Sequence, residues 1–160
     1  FRSDNIIKSD AQFSKDRVYR YALWRIWDIK KPKVLFIGLN PSTADEIKND
    51  PTIRRCIRFS MDWGYGGYIM GNIFAYRSTD PKNLLKIDDP IGPDNDYWLK
   101  KLYDEASLTI GAWGNHGRIL NRGEKVNNML KSFHCLKITK LGYPSHPLYL
   151  SSELKPIIFQ

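Results

Sequence analysis

The sequence predicts an α/β fold with three layers, in which a short, mostly parallel sheet of four strands lies between helices. Apolar runs of strand length alternate with helical patterns, and three of the four runs end in Gly or Asn. No run approaches the roughly 20 apolar residues that cross a bilayer. The alternation indicates a parallel sheet, because each parallel crossover needs a connection long enough for a helix.

Four apolar runs are the predicted strands, and they cover residues 34–39, 68–74, 108–112 and 135–138. An aromatic, Arg-rich segment at residues 19–28 precedes them and is predicted to be an edge strand or a short helix. Because the four strands run in one direction, their carboxyl ends meet at one edge of the sheet, where open α/β sheets bind ligands.

Three helical patterns separate the strands. The first begins where Asp50 precedes Pro51, since a capping residue followed by proline is a typical helix start, and it ends at Gly64. The second begins near residue 93, and the third covers residues 117–130. Apolar residues recur at helical spacing in all three, so each helix is expected to pack one face on the sheet.

Length and composition predict a single domain over residues 1–160, on which residues 1–33 pack as an aromatic and basic extension. The formal net charge is +8, and the chain contains five Trp, nine Tyr and seven Phe. Such an excess of Lys and Arg favours a polyanionic partner such as nucleic acid, because neutralising phosphates releases counterions. Solubility alone is the alternative explanation of the charge.

Several other classes of site and location are disfavoured. Cys56 and Cys135 lie far apart without a CxxC spacing, which indicates neither a disulfide framework nor a zinc site. GxSxG, HExxH and P-loop motifs do not occur. We expect a cytoplasmic protein with no membrane partner, because the sequence has no segment of signal-peptide type. We also expect no metal and no cofactor.

The strand-end segments resemble the motifs of uracil-DNA glycosylases. That superfamily has a Gly-x-Asp/Asn-Pro turn after a strand, an Asn on the next strand, a Trp-Gly step and a His-Pro loop. The matching residues, in the same order, are Gly38-Leu39-Asn40-Pro41, Asn72, Trp113-Gly114 and His146-Pro147-Leu148. The stretches LNPSTA, NDPTIRRC, AWGNHG and HPLYL are more closely similar to signatures of an uncharacterised domain-of-unknown-function family.

The glycosylase resemblance implies a uracil-DNA glycosylase-like fold and hydrolysis of the N-glycosidic bond at a flipped, damaged or modified base. It implies that Asn40 places the attacking water, Asn72 reads the base and His146 stabilises the leaving base. Relatives with Asp at the position of Asn40 have a carboxylate there, whereas an amide is a poor base. The alternative is therefore a non-catalytic module that holds a base, nucleotide or nucleotide-like signal molecule in the same pocket.

The remaining candidate residues lie at the strand ends or on the first helix. The predicted substrate-binding residues besides Asn72 are Gly38, Leu39, Pro41, Ser42, Trp113, His116, Pro147 and Leu148. Leu148 or Tyr149 is expected either to fill the space left by an extruded base or to plug the core. Arg54, Arg55 and Arg58 are predicted to bind phosphate, with pairing to nearby carboxylates as the alternative.

Overall fold

A computed structural model describes residues 6–159, and within them the fold is α/β with one mixed sheet and three α-helices. The strands are β1 (Lys8–Phe13), β2 (Arg20–Ile26), β3 (Lys33–Gly38), β4 (Gly67–Asn72), β5 (Leu108–Gly111), β6 (His134–Cys135) and β7 (Ile157–Ile158). The helices are α1 (Pro51–Asp62), α2 (Asn95–Glu105) and α3 (Arg122–Met129). The strand order across the sheet is β1-β2-β4-β3-β5-β6-β7.

The four strands predicted from the apolar runs form the centre of the sheet. β4, β3, β5 and β6 are neighbours, and all three pairings among them are parallel. Successive side chains of β3 point to opposite faces, so that Val34 and Phe36 pack in the cluster that contains α1. Leu35 and Ile37 pack in the cluster that contains residues of α2 and α3. Helices therefore cover both faces of the sheet.

The prediction of a four-stranded sheet is wrong, because three antiparallel strands extend it to seven. β1 pairs with β2, β2 pairs with β4, and β7 pairs with β6, all antiparallel. Segment 19–28 contains a strand, but β2 has neighbours on both sides and is not an edge strand. β1 has mostly exposed residues and β7 has only two, so neither gives a clear apolar run. Residues 1–5 of the predicted extension lie outside the described residues.

The predicted helices are correct in number, and the third is shorter than expected. α1 begins at Pro51, and the Asp50 side chain caps it by accepting a hydrogen bond from the Ile53 N–H at 2.9 Å. The predicted start of the third helix at residue 117 is wrong, because Leu120 and Asn121 have φ of 54° and 53°. This left-handed backbone interrupts the helix, so a short 3₁₀ turn that begins at Asn115 lies before the break and α3 begins after it at Arg122.

Two further findings concern the helices and the thiols. No helix in the described ranges is both long enough and apolar enough to span a bilayer. Cys56 and Cys135 are buried, and they do not form a disulfide with each other. Burial raises the pKa of both thiols, to about 11 for Cys135, so both stay protonated at neutral pH.

Candidate functional site

A cavity of about 510 Å³ lies at the carboxyl ends of β3, β4 and β5. Residues 38–42 at the end of β3, residue Asn72 at the end of β4 and residues 112–116 after β5 form its walls. Residues 146–148, in the chain after β6, and the first residues of α1 also line it. Its volume lies in the range of small-molecule sites.

The cavity brings together every residue that was predicted to be catalytic or substrate-binding. These residues are Gly38, Leu39, Asn40, Pro41, Ser42, Asn72, Trp113, His116, His146, Pro147 and Leu148. They come from four separate stretches of the chain, and the parallel strand ends bring these stretches to one place. The chemical roles given to the residues remain predictions.

Asn72 carries a buried carboxamide at the end of β4, beside the cavity. Its side chain lines the cavity and the residue is only 1% exposed. Neither Oδ1 nor Nδ2 has a hydrogen-bond partner among residues 6–159. A buried polar atom without a partner costs about 1–3 kcal/mol, so two such atoms in one side chain indicate that a ligand or water completes the bonding.

Gly38 allows Asn72 to occupy this position. The two residues are partners in the β3–β4 register. A Cβ at residue 38 would lie 2.8 Å from Asn72 Oδ1 and 2.6 Å from Met70 Cε, both closer than real Cβ atoms approach other atoms. The predicted Gly-x-Asn-Pro turn therefore begins with glycine because any side chain would displace the Asn72 carboxamide.

Asn40 is held by the backbone of a neighbouring loop. Its Nδ2 donates to the carbonyl oxygen of Ser78 at 2.8 Å and to that of Pro41 at 3.2 Å. An Asp in the same orientation would place an oxygen atom against two carbonyl oxygens, so the site is suited to an amide rather than to a carboxylate. Oδ1 of Asn40 is the atom that can accept a hydrogen bond from a water molecule.

His146 lines the cavity and stays partly exposed to solvent. The Leu148 N–H donates to Nδ1 at 3.2 Å, which leaves Nε2 as the atom that bears the proton in the neutral ring. Desolvation lowers the pKa of His146 below its usual 6.5, and the charge of Asp50 opposes this shift. At neutral pH the imidazole is therefore uncharged and donates from Nε2.

The charge state of His146 can be measured directly. We expect an NMR titration of its ring protons to give a pKa below 6.5. In Asp50→Asn the pKa should fall further, because the lost negative charge no longer stabilises the imidazolium. His134, which lies on β6 away from the cavity, is an internal reference in the same spectra. A pKa of 6.5 or above, or one that Asp50→Asn leaves unchanged, would contradict this assignment.

Sequence reasoning missed two charged residues of the cavity, Arg20 and Asp50. Arg20 is 1% exposed, and its Nη1 donates to the carbonyl oxygen of Ala44 at 3.0 Å. Burial lowers the pKa of Arg20 to about 10, so the guanidinium stays charged at neutral pH. Asp50 is 9% exposed and, of the described residues that line the cavity, is the one with a carboxylate. The sequence identified Asp50 as a helix cap and Arg20 as one of many basic residues.

A second buried arginine holds the loop that positions Asp50. Arg25 of β2 donates from Nη2 to the carbonyl oxygens of Asp45 and Lys48 at 2.6 and 3.1 Å. Its Nε donates to Oδ1 of Asn49 at 2.8 Å. This loop joins β3 to α1, so Arg25 fixes the backbone immediately before Asp50. Part of the positive charge therefore has a structural function, which the charge count alone does not reveal.

The three arginines predicted to bind phosphate lie outside the cavity. Arg54 donates from Nη2 to the carbonyl oxygen of Asn49 at 3.4 Å. Arg58 forms an ion pair with Asp62 at 3.4 Å, which is the pairing alternative. Arg55 packs over the ring of Phe59. Phosphate binding by these residues remains a prediction.

Two other features bear on the predicted chemistry. Tyr149, one of the two residues proposed to replace an extruded base, is 94% exposed and does not line the cavity, whereas Leu148 does. No group of three or more His, Cys, Asp or Glu side chains is placed to hold a metal ion within residues 6–159.

Comparisons with known proteins give one match. No curated protein and no solved structure matches the chain significantly. A family model described as "Protein of unknown function (DUF1643)" matches residues 20–148. Every residue that lines the cavity, from Arg20 to Leu148, falls within this match. The chain therefore belongs to the DUF1643 family, whose model covers the whole of the candidate site.

Proposed function

We propose that the cavity receives a base extruded from nucleic acid, DNA above all, and that the protein hydrolyses the N-glycosidic bond of that nucleotide. The observation that supports this most strongly is the buried carboxamide of Asn72, which has no hydrogen-bond partner in the part of the chain that the structure describes. A carboxamide offers a donor and an acceptor side by side, and the hydrogen-bonding edge of a pyrimidine offers the complementary pair. We also propose that the fold is similar to that of uracil-DNA glycosylases.

The neutral His146 supports stabilisation of the leaving base. In the proposed step, a water oxygen forms a bond to C1′ of the sugar while the bond from C1′ to the base nitrogen breaks. The bonding electron pair stays on the base, which leaves as an anion. Nε2–H of His146 donates a hydrogen bond to the base oxygen on which this charge develops.

Asp50 supports activation of the water. It provides the carboxylate that position 40 lacks, and it lies in the same cavity as Asn40 and His146. Its Oδ1 accepts the hydrogen bond from Ile53, which leaves Oδ2 to accept a proton from water. We propose that Asn40 orients the water through Oδ1, Asp50 accepts its proton, and the proton returns to the departing base or to solvent.

Strand scission tests this function. The protein is incubated with labelled single- and double-stranded oligonucleotides that contain uracil, hypoxanthine, 5-hydroxymethyluracil or a thymine mismatch, and abasic sites are then cleaved with alkali. We expect scission at one of these bases, and a loss of scission in Asn72→Ala. The absence of scission on every substrate would contradict the hydrolysis.

Asn40 supports a second candidate function, binding without catalysis. Its amide nitrogen donates a hydrogen bond to the carbonyl oxygen of Ser78, so Asn40 stabilises this loop whether or not it contacts a ligand. In that case Asn72, His146 and Arg20 would hold a base, nucleotide or nucleotide-like signal molecule without reaction. Binding of the same oligonucleotides or of free nucleotides without scission would favour this candidate.

A further inference from the structure

A second, open groove of about 480 Å³ adjoins the cavity. Ser42, Ser78 and Thr79 line both, so groove and cavity meet at three hydroxyl side chains. The other residues of the groove come from the turn after β1 and the segment after β4, and they are Arg17, Val18, Tyr76, Arg77 and Asn83. A ligand in the cavity can therefore continue into the groove.

Two guanidinium groups of the groove are held over one aromatic ring. Cζ of Arg17 lies 3.8 Å from the centroid of the Phe13 ring, and Cζ of Arg77 lies 4.8 Å from it. Stacking on an aromatic face orients a guanidinium and leaves its edge free to donate hydrogen bonds. The planar fork of an arginine matches two oxygen atoms of a phosphate.

The two arginines differ in their partners. Arg17 forms a bidentate ion pair with Glu46 at 2.7 and 2.8 Å. Among residues 6–159, Arg77 donates from Nη1 to a backbone carbonyl, that of Arg17, at 3.3 Å. Its Nε is buried and has no hydrogen-bond partner among the described residues. Arg77 is therefore a cation beside the cavity whose charge no carboxylate of residues 6–159 neutralises through an ion pair.

The positive field of Arg77 extends to its neighbours. Burial lowers the pKa of Arg20, and the charge of Arg77 contributes to the same shift. Hydrogen bonds from Arg17 lower the pKa of Glu46 to about 2, and Arg77 again contributes. An anion in the groove would relieve the repulsion between Arg77 and Arg20.

We propose that the groove binds the phosphate of the nucleoside whose base occupies the cavity, with Arg77 as the main cationic contact and Ser42 and Thr79 as hydroxyl donors. This inference rests on the proposed function, because the base must occupy the cavity. The ligand is then a phosphorylated nucleoside, either a free mononucleotide or one unit of a nucleic-acid strand. Arg54, Arg55 and Arg58 would then contact only a longer strand.

Paired titrations test the groove separately from the cavity. Calorimetry compares the 2′-deoxynucleosides of uracil, thymine, cytosine, adenine and guanine with their 5′- and 3′-monophosphates. We expect at least one monophosphate to bind about tenfold to a hundredfold more tightly than its nucleoside, the range of a charge-assisted hydrogen bond. Arg77→Gln should bring this ratio close to one without changing the affinity for the nucleoside, which also shows that the variant is folded.

Lys33→Gln is the matched control. It removes a positive charge that pairs with Glu105 outside both the cavity and the groove, so it should leave the ratio unchanged. Equal affinities of nucleoside and monophosphate in the unaltered protein would contradict phosphate binding in the groove. An affinity ratio that Arg77→Gln leaves unchanged would contradict it as well. Neither result would contradict binding of the base in the cavity. If no nucleoside and no monophosphate binds while strand scission occurs, the groove proposal fails and the proposed function stands; if scission is absent as well, both fail.

A trinucleotide with the preferred base in its centre distinguishes the two sources of phosphate. If the ligand is a free nucleotide, we expect the monophosphate to bind at least as tightly as the trinucleotide. If the ligand is one unit of a strand, we expect the trinucleotide to bind more tightly than the monophosphate. Arg77→Gln should then reduce the slope of log affinity against log salt concentration by about one unit.

Discussion

Asp50→Asn is expected to lower the rate of base excision at least about a hundredfold while the protein stays folded. A general base contributes about 10²–10⁴-fold to a rate, and an amide cannot accept the proton of the water. Asn caps a helix as well as Asp does, so the free energy of unfolding should change by less than about 1 kcal/mol. Single-turnover scission and urea denaturation measure the two quantities.

Two further variants separate the capping role of Asp50 from its chemical role. Asp50→Ala removes both, and should lose about 1 kcal/mol of stability as well as the rate. Asn40→Ala keeps the carboxylate and removes the residue that orients water, so its loss of rate should be smaller than that of Asp50→Asn. A rate for Asp50→Asn within about threefold of the unaltered protein would exclude Asp50 as the base.

The centre of the fold could be predicted because its strands are buried on both faces. Such strands are continuous apolar runs, as in residues 34–37, and they remain recognisable without knowledge of the tertiary structure. β1 has mostly exposed residues and β7 has only two residues, so neither gives an apolar run of strand length. β2 contains Arg20 and Arg25, which charge alone assigns to the surface, although both are buried.

The location of the candidate site could be predicted from the apolar pattern of the sequence, whereas the charged residues that line the site could not. Asn40, Asn72 and His146 come together because parallel strands place their carboxyl ends at one edge. Arg20 reaches the cavity only because the antiparallel β2 lies beside β4, a pairing that the apolar pattern does not reveal. Asp50 has a sufficient explanation as a helix cap, which conceals that its side chain also lines the cavity.

The contacts of the arginines could not be predicted from the sequence either. Arg54 and Arg58 are four residues apart on α1, a spacing that predicts a common face but not what lies opposite it. Arg17 and Arg77 are far apart in sequence, and they meet because both pack on Phe13. Contacts between distant segments of this kind depend on strand register, which local sequence does not determine.

Asn72→Leu is expected to abolish binding of the base and, at the same time, to stabilise the protein. Leu has the same branching of heavy atoms as Asn, and it replaces two buried polar atoms that have no hydrogen-bond partner among residues 6–159. We expect the free energy of unfolding to rise by about 1–3 kcal/mol and the affinity for the base to fall at least about a hundredfold. Urea denaturation and calorimetry with the preferred nucleoside measure these effects.

Asn95→Leu is the matched control, because Asn95 is equally buried but fully used by the fold on its donor side. Its Nδ2 donates to the carbonyl oxygens of Asn72 and Ile73 at 2.9 and 3.1 Å. Its replacement should therefore destabilise the protein by about 1–3 kcal/mol. Opposite signs for the two variants would identify Asn72 as a residue retained for a ligand at the expense of stability. If Asn72→Leu destabilises the protein and leaves nucleoside binding intact, Asn72 is a structural strand end, and the proposed site loses its main support.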